Sequence, residues 1–119
     1  MLYFILLIVL GEAFGHLEPP TIQPISIPKQ IKEGQKVRIG CIALSGSLPM
    51  KFNWLRNGEE IKSENSYSIR NLSDDTSDLL IYPISLNQSG IYRCAIQNAV
   101  GEDYSEVSVQ VSGKRIHHF

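Results

Sequence analysis

The sequence predicts an all-β fold: two antiparallel sheets packed face to face, built from seven or more short strands. Three observations carry this. From Leu17 onward, apolar residues recur at every second position between turn residues, and no segment keeps an apolar stripe of helical period. Cys41, Trp54 and Cys94 fall on the apolar parity of three different alternating segments, as an interior shared by two layers requires. The charge is nearly balanced, eleven Lys and Arg against twelve Asp and Glu in 119 residues, of which 43% are hydrophobic. Such a chain is not compositionally disordered. It is also too neutral to bind a nucleic-acid backbone through clustered cations.

In chain order, residues 2–10 form an unbroken apolar run ended by Gly11 and Glu12, with the small residues Ala13 and Gly15 two apart. This reads as a signal peptide over residues 1–15, although no Lys or Arg precedes the run. The run is too short to span a bilayer, which needs about 20 apolar residues. Cleavage after Gly15 leaves eleven charges of each sign. No second apolar stretch follows, so no membrane span is expected.

The module itself is expected over residues 16–112. Residues 22–27 read as a sheet-edge segment, because Pro24 and Pro28 cannot donate to a ladder. Residues 35–44 alternate, with Val37, Ile39, Cys41 and Ala43 on one face. After a loop over residues 45–49, residues 50–56 read as a strand with Phe52 and Trp54 on one side. Asn57-Gly58 predicts a hairpin turn of the type that needs positive φ at both central residues. Residues 66–70 read as a short strand and residues 72–77 as a polar turn. Residues 78–83 form a strand with Leu79 and Ile81 inward, and residues 90–97 one with Tyr92, Cys94 and Ile96 inward. Ala99-Val100-Gly101 turns into a last strand, where Val107, Val109 and Val111 alternate with Ser108 and Gln110. The tail over residues 113–119 breaks the pattern and is expected to be unstructured. The end just past one domain reads as a truncated product of a longer gene.

An exported chain meets oxidising conditions, where two inward cysteines form a disulfide rather than remain buried thiols. Closing so long a loop contributes about 4 kcal/mol in the chain-entropy model.

Taken together, Cys41, Trp54, Leu79, Ile81, Gly90, Tyr92 and Cys94 resemble the immunoglobulin domain. The resemblance implies an immunoglobulin-like sandwich with one inter-sheet disulfide, and makes Tyr92 its tyrosine corner. The run from Tyr92 to Gly101 is similar to the I-set class found in many adhesion receptors. The family's usual Asp, two residues before the glycine, is Gln88 here, so Arg70 is expected to lack its customary partner. Pro19-Pro20, Ile31-Lys32-Glu33-Gly34 and the run from Ser47 to Gly58 resemble the repeated domains of the Down syndrome cell adhesion molecule family. That resemblance implies cell–cell recognition, by homophilic binding to the same or a related immunoglobulin-domain protein, of the kind used in axon guidance and dendrite self-avoidance. A soluble immune-type protein binding heterologous ligands, or a spacer module of a larger receptor, is the alternative. Either way the place of action is outside the cell, secreted or on the plasma membrane.

No catalytic site is expected. His16, His117 and His118 lie at the chain ends, so no internal histidine can activate a nucleophile. Asp74-Asp75 and Glu102-Asp103 read as solvated turn acids, and no phosphate loop or nucleophile elbow is present. Neither a metal, a cofactor nor a small-molecule substrate is expected. Parity instead suggests a binding face. Arg38, Ile42, Arg70, Leu80 and Tyr82 share the outer side of one sheet, apolar bulk ringed by Arg, whereas Asn53, Leu55, Arg93, Gln97, Glu106, Ser108 and Gln110 make a more polar outer side on the other. Asn71-Leu72-Ser73 and Asn87-Gln88-Ser89 are glycosylation sequons in predicted turns.

Overall fold

The computed structural model describes residues 16–113. The expected signal peptide, and the tail beyond Gly113 with His117 and His118, lie outside the described residues.

Two four-stranded antiparallel sheets form the sandwich. The first has the order β1 (Thr21–Ile22), β3 (Val37–Ser45), β7 (Thr76–Ile81), β6 (Tyr67–Ser73). The second has the order β5 (Glu59–Glu60), β4 (Lys51–Arg56), β8 (Gly90–Asn98), β9 (Gly101–Val109). Strand β3 shows why these residues choose this form: Val37, Ile39, Cys41 and Ala43 are buried, and each residue between them is exposed. The Asn57-Gly58 turn has φ of 50° and 83°, the double positive φ its sequence predicts.

The interior is the expected one. Trp54, Leu79, Ile81 and Tyr92 are almost wholly buried, and the Cys41–Cys94 disulfide joins β3 to β8 across it. The Trp54 indole Nε1 donates to Ser77 Oγ at 3.0 Å, so the one buried polar residue among the described residues satisfies the indole.

Three local expectations are corrected. The entering edge is split: β1 pairs with β3, and after the two prolines β2 (Ile31–Lys32) crosses to pair in parallel with β10 (Val111–Ser112). At the end of β1 and just beyond it, the Ile22 and Ile25 amides donate to Asp103 Oδ2 and Ser105 Oγ of β9, so side chains stand in for ladder partners there. The turn over residues 72–77 shrinks to Asp74-Asp75, because β6 runs on to Ser73 through a bulge and β7 begins at Thr76. Glu102 and Asp103 lie in β9, where Asp103 serves the backbone of β1 instead of facing solvent in a turn.

Candidate functional site

The outer side of the first sheet holds all five candidate interface residues. Register places Arg38 beside Leu80, Gly40 beside Asp78 and Ile42 beside Thr76 on β3 and β7, with Ser68 and Arg70 of β6 next to Leu80 and Asp78. Tyr82 is 53% exposed, with the Lys36 ammonium 5.1 Å from its ring centroid; Leu80 is half-buried and Ile42 is 37% exposed. Arg38 and Arg70 are exposed.

The apolar bulk is not one patch. The row Gly40–Asp78–Arg70 crosses between Leu80 and Ile42. Asp78 pairs with Arg38 at 3.7 Å and lies over Gly40, where a Cβ would meet its Oδ1 at 3.4 Å. Parity on β7 also puts Asp78 on this side with Leu80 and Tyr82, an acid the sequence reading left out, and the strand register sets it between Leu80 and Ile42. One island is therefore Leu80 with Tyr82, and the other is Ile42 with Leu44, which is 60% exposed.

The second sheet is less uniformly polar than its sequence suggests. Tyr104, 50% exposed, carries the Arg93 guanidinium 4.0 Å above its ring, and Arg93 pairs in turn with Glu106 at 3.0 Å. Leu55 is half-buried nearby and Ala95 is buried. The parity reading omitted Tyr104, although its register with Ala95 follows from counting back along β9 from Glu106.

At the E–F turn, between β7 and β8, the Tyr92 hydroxyl donates to the Gln88 carbonyl at 2.6 Å and shares a 2.9 Å hydrogen bond with the Tyr67 hydroxyl. Burial, then this bond to Tyr67, pushes the Tyr92 phenol well above its ordinary value. Gln88 takes over the work of the absent acid by neutral means. Its Oε1 accepts from the Ser85 amide at 2.9 Å, and its Nε2 donates to Ser66 Oγ at 2.6 Å. Its partner at the start of β6 is thus Ser66, while Arg70 lies opposite Asp78. Arg56 closes the same corner by donating to the Ser89 carbonyl from Nε and Nη2 at 3.1 and 2.8 Å.

The two sequons occupy different settings. Asn87 lies in a single 3-10 turn, Leu86–Gln88, as expected of a turn residue. Asn71 lies in β6, not in a turn. In the turn between β6 and β7, the D–E turn, Ser73 and then Thr76 donate to the Asp75 carboxylate and hold it below its ordinary pKa. Among the described residues no group of three or more His, Cys, Asp or Glu could hold a metal ion, and no helix is long and apolar enough to cross a membrane.

A two-sheet sandwich with a central disulfide, a buried tryptophan beside it and a tyrosine tied to the turn before its own strand is the architecture of an immunoglobulin domain. The immunoglobulin I-set domain model matches residues 20–111, and the chain belongs to that family. It is 38% identical over 98 residues to the cell adhesion molecule DSCAM of Rattus norvegicus, covering 81% of this chain and 5% of that protein. The chain thus spans about one twentieth of the length of such curated relatives. Among solved structures, the Dscam1 Ig7 domain, isoform 5, superposes with a TM-score of 0.76 at 26% identity, covering 79% of this chain and 97% of that one. A titin I-band fragment, I67–I69, superposes with a TM-score of 0.74 at 26% identity, covering 82% of this chain and 34% of the fragment. The chain is therefore an immunoglobulin I-set module whose relatives include cell adhesion molecules.

Proposed function

We propose that this chain is an extracellular recognition module that binds a second copy of itself, or a closely related immunoglobulin domain, and so joins cell surfaces. The observation that carries this is the outer side of the first sheet, where exposed Tyr82 and half-buried Leu80 are framed by Lys36, Arg38 and the acid Asp78. A face with apolar anchors and both charge signs can complement itself about a two-fold axis, setting Arg38 of one copy against Asp78 of the other. Likeness to cell adhesion molecules supports the same reading, and a role in neuronal guidance is proposed with it. Residues 1–15 direct export as a signal peptide, residues 16–112 form the module, and residues 113–119 form its tail. Sedimentation of the exported protein tests the pairing. The wild type is expected to self-associate and Leu80→Glu/Tyr82→Glu to sediment as a monomer; unchanged self-association of the variant would refute it. N-terminal sequencing of the same material is expected to begin at His16.

A spacer role in a tandem receptor is the second reading, favoured by the likeness to a titin fragment that carries several such domains. A monomeric wild type that fails to aggregate cells when tethered to them would favour it.

A further inference from the structure

On the flank where the two sheets part, between β4 and β6, an open cleft of about 470 Å³ is lined by Leu48, Pro49, Met50 and Phe52. Leu48 is 55% exposed, and Met50 and Phe52 are only partly covered although they pack against the core. Asn71 forms the rim of this cleft. The reason is register: Asn71 stands opposite Ser77, a core-facing position of β7, but β6 is the outermost strand of its sheet, so this core-facing position opens onto the cleft. Asn71 is exposed, and among the described residues its side chain joins no hydrogen bond, whereas the Asn87 carboxamide accepts one from Ser85.

We infer that Asn71 carries an N-linked glycan whose first N-acetylglucosamine lies in the Leu48/Met50/Phe52 cleft and covers it. In the transfer, Asn71 Nδ2 bonds to C1 of the sugar and the bond from C1 to a lipid-pyrophosphate donor breaks. The amide proton goes to a base of the transferase, and the lipid pyrophosphate leaves with the electron pair. N-acetylglucosamine suits this occupancy. Its axial C–H face and acetyl methyl offer apolar surface to Phe52 and Leu48, and its hydroxyls remain toward water beside Ser73 and Asp74. The same sugar blocks the Asn71 end of the β6 edge, whose Tyr67 and Ile69 amides are already taken by the Glu64 carbonyl and Ser63 Oγ. The Leu80/Tyr82 island sits at the opposite end of that sheet and stays uncovered. The inference requires export through a glycosylating compartment, as the proposed extracellular role does, but not self-association.

The experiment expresses the full chain in a eukaryotic secretory line, behind its own residues 1–15 and, separately, behind a heterologous leader. The second arm separates failure of the signal from failure of glycosylation. Intact mass should fall by one glycan in Asn71→Gln and in Ser73→Ala, and Ser73→Thr should retain it. Trimming wild type to a single sugar should leave binding of a hydrophobic dye low. Complete removal, or Asn71→Gln, should raise that binding about twofold and lower Tm by about 4 °C. Asn87→Gln should change neither. Should Asn71→Gln not be secreted, enzymatic trimming of wild type gives the same readout. An unmodified Asn71 in secreted protein, or dye binding that is the same with one sugar as with none, would overturn the inference.

Discussion

The flank between β4 and β6 is built differently at its two ends. Beside the E–F turn the gap is shut. Ile61 is buried there, the Tyr67 and Tyr92 rings stand 6.4 Å apart with their hydroxyls joined, and Gln88 and Arg56 bind the turn's polar groups. Beside the D–E turn the gap is open, lined by Leu48, Met50 and Phe52. The hydrogen bonds of that end lie within the D–E turn itself and on the far side, where Asn98 Nδ2 donates to the Glu18 and Ser47 carbonyls at 2.6 and 3.1 Å and holds the entering chain. One end thus spends its side chains on closing the sandwich, and the other leaves apolar surface available to something outside the protein. The two outer sheet faces differ less, each with a half-exposed tyrosine beside a cation. The first has Tyr82 with the Lys36 ammonium 5.1 Å from its ring centroid, while the second holds Arg93 closer, 4.0 Å from the Tyr104 centroid, and pairs it with Glu106.

This asymmetry can be broken at several points. Replacing both Cys41 and Cys94 by Ala should cost about 4 kcal/mol, loosening both ends together; denaturant unfolding of the oxidised wild type and the variant measures it. Tyr92→Phe should cost about 1–3 kcal/mol, because the Gln88 carbonyl and the Tyr67 hydroxyl lose a partner in a half-buried corner. Amide exchange should then quicken at the E–F turn and not at the D–E turn. Tyr92 also sets a pH dependence. Its folded pKa lies above the unfolded value of 10.0, so its contribution is complete below pH 10.0 and is lost as pH rises beyond it. Unfolding curves between neutral pH and about pH 11 should show the decline in wild type and less of it in Tyr92→Phe. Gln88→Ala should cost about 1–2 kcal/mol through the unpaired Ser66 and Ser85 groups. At the open end, Leu48→Ser in unglycosylated protein should change stability by no more than about 0.5 kcal/mol, and a loss comparable to that of Gln88→Ala would show that this end is closed too.

The strands that pack on both other strands and the core were legible because their pattern is local. In β3 and β8 each inward residue announces itself by alternation, and Trp54, Tyr92 and both cysteines are where parity puts them. The edges were not legible. Residues 22–32 alternate too weakly around Pro24 and Pro28 to reveal that β1 and β2 join different partners. Leu72 and Ser73 look like turn residues because β6 carries a bulge and has a neighbour on one side only. The candidate face was half legible: parity selected Arg38, Ile42, Arg70, Leu80 and Tyr82, but the place of Asp78 between Leu80 and Ile42 and the stacking of Arg93 on Tyr104 are cross-strand facts.

What the sequence determined by itself was the sandwich, its disulfide and its buried indole, since burying alternate side chains against a second layer is the one way these segments can leave water. What only the tertiary structure decided was which exposed groups meet. The Asp78 row across the face, Gln88 reaching Ser66, and Asn71 above the Phe52 cleft each join residues from separate strands, and their meeting depends on register and on where a sheet ends, neither of which is written in any single strand.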